Sequence, residues 1–347
     1  MRVSTAVRRP NEDLSPTLPL VTSGRHAYPY AMPETTPISF KERLIGAVLV
    51  APIRLARGLP YGWRVPFVGW LTAWVLAPLA GYRRRIRNNL ALVRPDLPEH
   101  EVRRLMRKVP DNAGRNMIEL YSPEFGNYAS PAPVAGPGLE DIRTAREAGR
   151  PVIFITGHFG SFNAARLAMI EQGFNMGVFY RPMANRPFNE HYVKAMADLS
   201  EPMFEQGRKG MMQMVKHVRS GGVLAILNDL NAHDGVPVDF FGEPAMTSLA
   251  TAEMALKFDA LLVPVWGLRA KDGLHFNIVV EAPIPASDPL TMTREFNARL
   301  EAAVREHMDQ WFWIHKRWKH GTGFLAERGA KIIEEMERDA VEQGESR

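Results

Sequence analysis

Between residues 150 and 280, short apolar runs bounded by Gly, Pro or Asn alternate with amphipathic segments, the pattern of strands interleaved with helices that pack on a sheet. The runs predict strands at Val152–Thr156, Met176–Tyr180, Val223–Leu227, Leu261–Trp266 and Phe276–Val280. The segments between them predict helices near Phe162–Gln172, Phe188–Leu199, Met211–Arg219 and Ser248–Phe258. Two longer amphipathic stretches flank this region: Glu99–Tyr121, where Leu105, Val109, Met117 and Leu120 line one face, and Thr293–Trp313. The fold class that follows is α/β, a central mixed β-sheet flanked by helices.

Further upstream the pattern is different. Val65 to Tyr82 is eighteen residues without a charge, carrying Trp70 and Trp74 and bounded by Arg64 and Arg83. A span needs about 20 apolar residues, and Pro66, Pro78, Gly69 and Gly81 interrupt a clean helix, so interfacial embedding is favoured over crossing. Leu44–Ala56 is also apolar but carries Arg54. Together the two segments predict an N-terminal amphipathic and hydrophobic helical region that contacts a membrane, with arginines reaching lipid phosphates. The alternative is a pair of buried core helices. The first 38 residues are rich in Pro, Ser and Thr and lack an apolar run of leader length, so they are expected to form a flexible tail. The expected organisation is a tail over 1–38, a helical, membrane-associating and basic region over 39–122, an α/β core over 123–322, and a charged helix and tail over 323–347.

Composition narrows the chemistry. Of 347 residues, 46% are hydrophobic and 23% charged, an ordinary globular balance. There is no cysteine, which removes thiolate nucleophiles, disulfides and Cys-containing zinc sites. The net charge of +5 points to a negatively charged partner such as anionic lipid, a phosphorylated ligand or nucleic acid. The charge is concentrated: Gly81–Lys108 holds nine Arg and Lys residues against Asp96, Glu99 and Glu101.

The most informative junction is VIFITGHFGSFNAAR, where a buried strand runs into Gly157–His158–Phe159–Gly160 and then a helix with Ser161 as its expected cap. Ligands in open α/β sheets gather at the carboxyl ends of strands, which favours a functional role for His158 over core packing. Along one regular helix His158 and Asn163 would lie about 140° apart, so they form a pair only if a loop turns between them.

At these residues the chain resembles the lysophospholipid acyltransferase superfamily, and within it the lipid A biosynthesis lauroyl/myristoyl acyltransferases. His158 matches the histidine of that family's His-x4-Asp/Glu motif, and Phe179–Tyr180–Arg181–Pro182 matches its second block. NDLNAHDGVPVDFFGEPAMT resembles its Asp-containing loop, and Val263–Pro264–Val265 with Arg269, the upstream RRRIRNNLALVRPDLPEHE and QWFWIHKRWK from Gln310 to Lys319 follow in order. The likeness runs from about Phe40 to Lys319.

The resemblance implies transfer of a fatty acyl group from a thioester, on acyl carrier protein or coenzyme A, to a hydroxyl of a membrane lysolipid or lipid A-type precursor. It implies no metal or organic cofactor, an anionic membrane surface as partner, and a place at the cytoplasmic face of a bacterial inner membrane. His158 would be the general base. Where the motif carries a carboxylate this chain has Asn163, whose amide oxygen can fix the imidazole tautomer but brings no charge. Three readings stay open: a catalytic His158–Asn163 pair, a His158 served by another carboxylate such as Asp229, and a lipid-binding protein without catalysis. The departure at Asn163 also leaves room for a different acceptor, including an amino-acid-containing lysolipid.

Arg181 is expected to grip a phosphate or carboxylate, with a surface ion pair as the plainer role. Asp229 is expected either to orient substrate or loop, or to cap a turn with Asn228 and Asn231. Gly242 is expected beside the site, after Phe240 and Phe241, which read as core, and Arg269 as a second anion contact. His233, His315 and His320 lack metal-ligand spacing. The Trp-rich basic segment after Gln310 suits lipid headgroups or a core better than nucleic acid, so no nucleic-acid partner is expected.

Overall fold

The computed structural model describes residues 37–319. The tail expected over 1–38 falls outside them as far as residue 36, and so does the charged helix expected over 323–347. Helices are α1 (Phe40–Ala56), α2 (Tyr61–Leu71), α3 (Ala77–Leu79), α4 (Tyr82–Val93), α5 (Glu99–Leu120), α6 (Phe125–Ala129), α7 (Leu139–Glu147), α8 (Phe162–Glu171), α9 (Arg186–Ala197), α10 (Arg208–Arg219), α11 (Ala250–Lys257) and α12 (Pro289–Glu306). Strands are β1 (Val134–Ala135), β2 (Val152–Thr156), β3 (Met176–Tyr180), β4 (Met203–Glu205), β5 (Val223–Leu227), β6 (Val236–Phe240), β7 (Glu243–Thr247), β8 (Leu261–Arg269) and β9 (Phe276–Val280).

Seven strands form one sheet in the order β1-β9-β8-β2-β5-β3-β4. β2, β3, β4, β5 and β8 run parallel, and β9 turns back against β8 with β1 alongside it, so the sheet is mixed. β2 sits centrally and every residue in it is buried, as an unalternating VIFIT run requires of a strand covered on both faces. Its period of two divides the core. Ile153 and Ile155 pack with α4, α5, α10 and α12, whereas Val152 and Phe154 pack with α2, α6, α7 and α8. β6 and β7 form a separate hairpin.

The apolar N-terminal run is split between two environments. Val65, Ala73 and Ala77 are buried, while Trp63, Phe67, Trp70 and Trp74, spaced as one helical stripe, are exposed. Gly81, left-handed at φ 70°, breaks the chain before α4, and the segments on its two sides meet at 84°. No single helix among the described residues is long and apolar enough to cross a membrane. Arg64 does not reach outward as expected: it is buried and forks onto Glu124, at 2.9 and 3.0 Å. The helix expected to run to Trp313 ends at Glu306, because His307 leaves helical backbone at φ −132°, ψ 54°. The chain beyond it then crosses to the strand ends.

Candidate active site

The register of two neighbouring strands builds the site. β2 and β5 are parallel with Thr156 opposite Leu227, and Asn228 extends the ladder by donating its backbone N–H to the Thr156 carbonyl at 2.9 Å. His158 and Asp229 each lie two residues past those paired ends. They therefore arrive together from 71 residues apart: His158 Nδ1 is 2.8 Å from Asp229 Oδ1, and the His158 backbone N–H donates to Asp229 Oδ2 at 2.7 Å. The Trp311 indole donates to the same Oδ2 at 3.0 Å. Gly157 makes room for this, since a Cβ there would stand 3.0 Å from the Asp229 carboxylate.

The histidine loop is held from both sides. Gly160 donates to the Gln310 carbonyl, Phe312 donates to the His158 carbonyl, and Ser161 donates to the Gly267 carbonyl. Gly160 is left-handed at φ 58°, and a side chain there would overlap the Gly267 carbonyl. Ser161 caps α8 by accepting from the Ala164 N–H.

Asp229 is buried, which alone would push its carboxyl up. The His158 charge, the hydrogen bonds from the His158 ring and backbone, and the Trp311 indole outweigh that and hold it below its ordinary value. An ionised Asp229 can only accept, so when the ring is neutral its one proton belongs on Nδ1 and the Nε2 lone pair is left free. The His158 side chain keeps 28% of its surface accessible. It faces a cavity of about 370 Å³ between α8 and the sheet, a size ordinary for small-molecule sites. Phe154, Met169, Met176 and Val265 form its apolar depth, and Asn163 and Arg181 also line it.

The structure thus brings together His158, Asp229, Asn163 and Arg181, and of the readings left open the hydrogen bonds match the one in which another carboxylate, Asp229, serves His158. No hydrogen bond joins Asn163 to His158 among the described residues; the ring's Nδ1 partner is Asp229, so the expected His158–Asn163 pair gives way to His158–Asp229. Arg269 is no anion contact, because its five N–H groups go to Asn112, Asn116, Gly273 and, twice, to the buried Glu119. Gly242 is not on the cavity: it is the exposed turn of the β6–β7 hairpin at φ 77°, its N–H donated to Asp239.

Sequence reasoning missed Trp311 as a ligand of Asp229, and it missed two residues that hold the Asp229 loop. Arg317, buried, donates to the Leu230 and Met246 carbonyls and to Thr247 Oγ1. His315 Nε2 accepts the Asn231 N–H at 2.8 Å, and burial pulls its pKa down to about 4. The one available signal was the clustering of these residues in QWFWIHKRWK. Among the described residues no group of three or more His, Asp or Glu side chains is placed to hold a metal ion.

Residues 39–320 match the family model described as bacterial lipid A biosynthesis acyltransferase. The chain belongs to this family. Like the other members of the lipid A biosynthesis acyltransferase family, it is an acyltransferase, acting between an acyl donor and a lipid acceptor. It is similar to the lipid A biosynthesis lauroyltransferase of Escherichia coli K12, with 26% identity over 245 residues, 67% of this chain and 78% of that protein. A lipid A biosynthesis acyltransferase of Haemophilus influenzae shares 26% identity over 180 residues, 51% of this chain and 56% of its own length. A phosphatidylinositol mannoside acyltransferase of Mycobacterium tuberculosis shares 23% over 250 residues, 69% of this chain and 78% of its own.

Proposed function

We propose that this family member is an O-acyltransferase that moves a fatty acyl chain from an acyl thioester, on acyl carrier protein or coenzyme A, to a hydroxyl of a membrane lysolipid or lipid A-type precursor. The observation that carries the reading is the His158–Asp229 pair with Nε2 open to a largely apolar cavity. Nε2 takes the proton of the acceptor hydroxyl as its oxygen attacks the thioester carbonyl, and Asp229 stabilises the imidazolium through Nδ1–H. The C–S bond then breaks, and the proton passes to the leaving thiolate. Atoms and charges balance with thioester and alcohol alone, so the reaction calls for no cofactor.

Asn163 supplies polarity at the cavity wall in place of the motif carboxylate, and Arg181 offers a fork to a phosphate or carboxylate. The exposed Trp63, Phe67, Trp70 and Trp74, with the α1 stripe of Phe40, Leu44, Val48 and Leu55, support peripheral docking on an anionic membrane. The setting proposed with it, on the family resemblance, is the cytoplasmic face of a bacterial inner membrane. The acceptor is a lipid A precursor or an amino-acid-containing lysolipid.

Lipid profiling by mass spectrometry tests the reading in a deletion strain complemented with wild type or His158→Ala. A lysolipid that accumulates and is cleared only by wild type names the acceptor. An unchanged lipid profile would instead favour a lipid-binding protein without turnover.

A further inference from the structure

The cavity contains a cation that acyl transfer does not explain. Arg166, one turn beyond Asn163 on α8, is 4% exposed and lines the same cavity. Its Nε and Nη2 are held by the hydroxyl and carbonyl of Ser200. Nη1 has no hydrogen-bond partner, and no carboxylate pairs with the guanidinium, among the described residues. Burial draws its pKa down to about 10, so it remains charged at neutral pH. Tyr192 also lines the cavity close by, where the guanidinium charge acts on its phenol against the effect of burial.

A hydrocarbon chain laid against this group would leave a desolvated guanidinium without a counter-charge, which is strongly unfavourable. An oxyanion would satisfy Nη1 and replace the missing carboxylate. We propose that Arg166 and Tyr192 form an oxyanion subsite inside the cavity, and that the acceptor is an amphiphile carrying a carboxylate, sulfonate or phosphate group close to the hydroxyl that is acylated. The inference rests on the acyltransferase reading for the word acceptor, but the subsite itself is a binding property. His158 marks where the hydroxyl sits and Arg166 marks where the charge sits, and both line the one cavity of about 370 Å³. A hydroxyl and a charge within that single cavity belong to one headgroup.

The test is binding of dodecanoate, dodecanesulfonate, dodecyl phosphate and the neutral dodecanol to the full-length protein, below their aggregation thresholds, by titration calorimetry. Wild type and His158→Ala should prefer at least one anion over dodecanol by about ten-fold or more, Arg166→Met should lose the preference, and Arg166→Lys should keep part of it. The order among the three anions identifies the headgroup. Equal affinity for charged and neutral amphiphiles in wild type, or a preference that survives in Arg166→Met, overturns the subsite. Should Arg166→Met not fold, phenylglyoxal modification of Arg166 in wild type gives the same answer: the favoured anion protects and dodecanol does not, and absence of protection overturns the proposal. Turnover that persists in His158→Ala sinks the general-base reading and leaves the anion preference standing, so the two failures are distinguishable.

Discussion

Replacing Asp229 by Asn separates geometry from charge at the centre of the site. The carboxylate accepts from three N–H groups: the His158 backbone and the Trp311 indole both reach Oδ2, and the His158 ring reaches Oδ1. An asparagine has one oxygen and one amide nitrogen. Its oxygen satisfies two donors at the Oδ2 position, which turns the NH₂ toward His158 Nδ1. The ring must then accept at Nδ1 and carry its proton on Nε2, the tautomer that cannot serve as a base toward the cavity. Loss of the correct tautomer and of imidazolium stabilisation together predicts a fall in kcat of ~10²–10⁴-fold, a barrier rise of about 3–5.5 kcal/mol. KM should change little, since Asp229 is buried behind the ring. Steady-state acyl transfer with a labelled thioester, alongside a thermal melt showing a folded variant, measures this. A kcat within about three-fold of wild type would refute the reasoning. Asn163→Ala serves as the contrast, with a loss below about ten-fold expected because no hydrogen bond links Asn163 to the ring.

Gly157→Ala should lower activity by about ten-fold or more, because the new Cβ stands 3.0 Å from the Asp229 carboxylate and pushes it off the imidazole; wild-type kcat in this variant would count against the need for that close approach. His315, held at a pKa of about 4 against an ordinary 6.5, gives a pH effect of defined sign. Between those values the unfolded chain binds a proton that the native state does not, so stability is full above about pH 6.5 and falls as pH drops, by about 2 kcal/mol between pH 7 and pH 5. Denaturant unfolding at the two pH values should show that loss, reduced in His315→Gln, with His191, also lowered by burial, supplying a remainder. Changing Trp63, Phe67, Trp70 and Trp74 together to Gln should weaken sedimentation with anionic vesicles by about ten-fold or more while leaving the melting temperature within a few degrees, as these side chains are exposed.

Four of the five strands expected from the pattern occupy the expected residues, and Leu261–Trp266 continues to Arg269. β2 is buried at every residue, β3, β5 and β8 are apolar runs with half-buried positions, and β9 is apolar but for the exposed Asn277, so each stands out in a one-dimensional pattern. The β6–β7 hairpin escaped because its turn is Phe241–Gly242, both at positive φ, and a phenylalanine there gives none of the usual Asn-Gly signal. That strain is met by tertiary contacts: the Glu301 carboxylate accepts the Phe241 N–H and the ring packs on Trp313. His158 was legible because its loop follows its strand directly. Its partner was legible only as one of three open readings, since pairing with Asp229 depends on β5 lying beside β2, and strand order is not written in local periodicity. Arg269 was misjudged for a related reason: the acid that neutralises it, Glu119, lies 150 residues away on α5.

The segment from Gln310 to Phe312, which clasps the histidine loop, gives the protein a temporal property. His158 and Asp229 can meet once β5 has docked, but the indole on Asp229 and the N–H on the His158 carbonyl belong to Trp311 and Phe312. His158 is therefore held in place only after translation has passed Phe312. Chains released before residue 310, even with the entire sheet already made, would carry the exposed apolar stripes of α1 and α2 and a His158 loop without its clasp. The order of synthesis thus places the clasp after every strand of the sheet it closes upon.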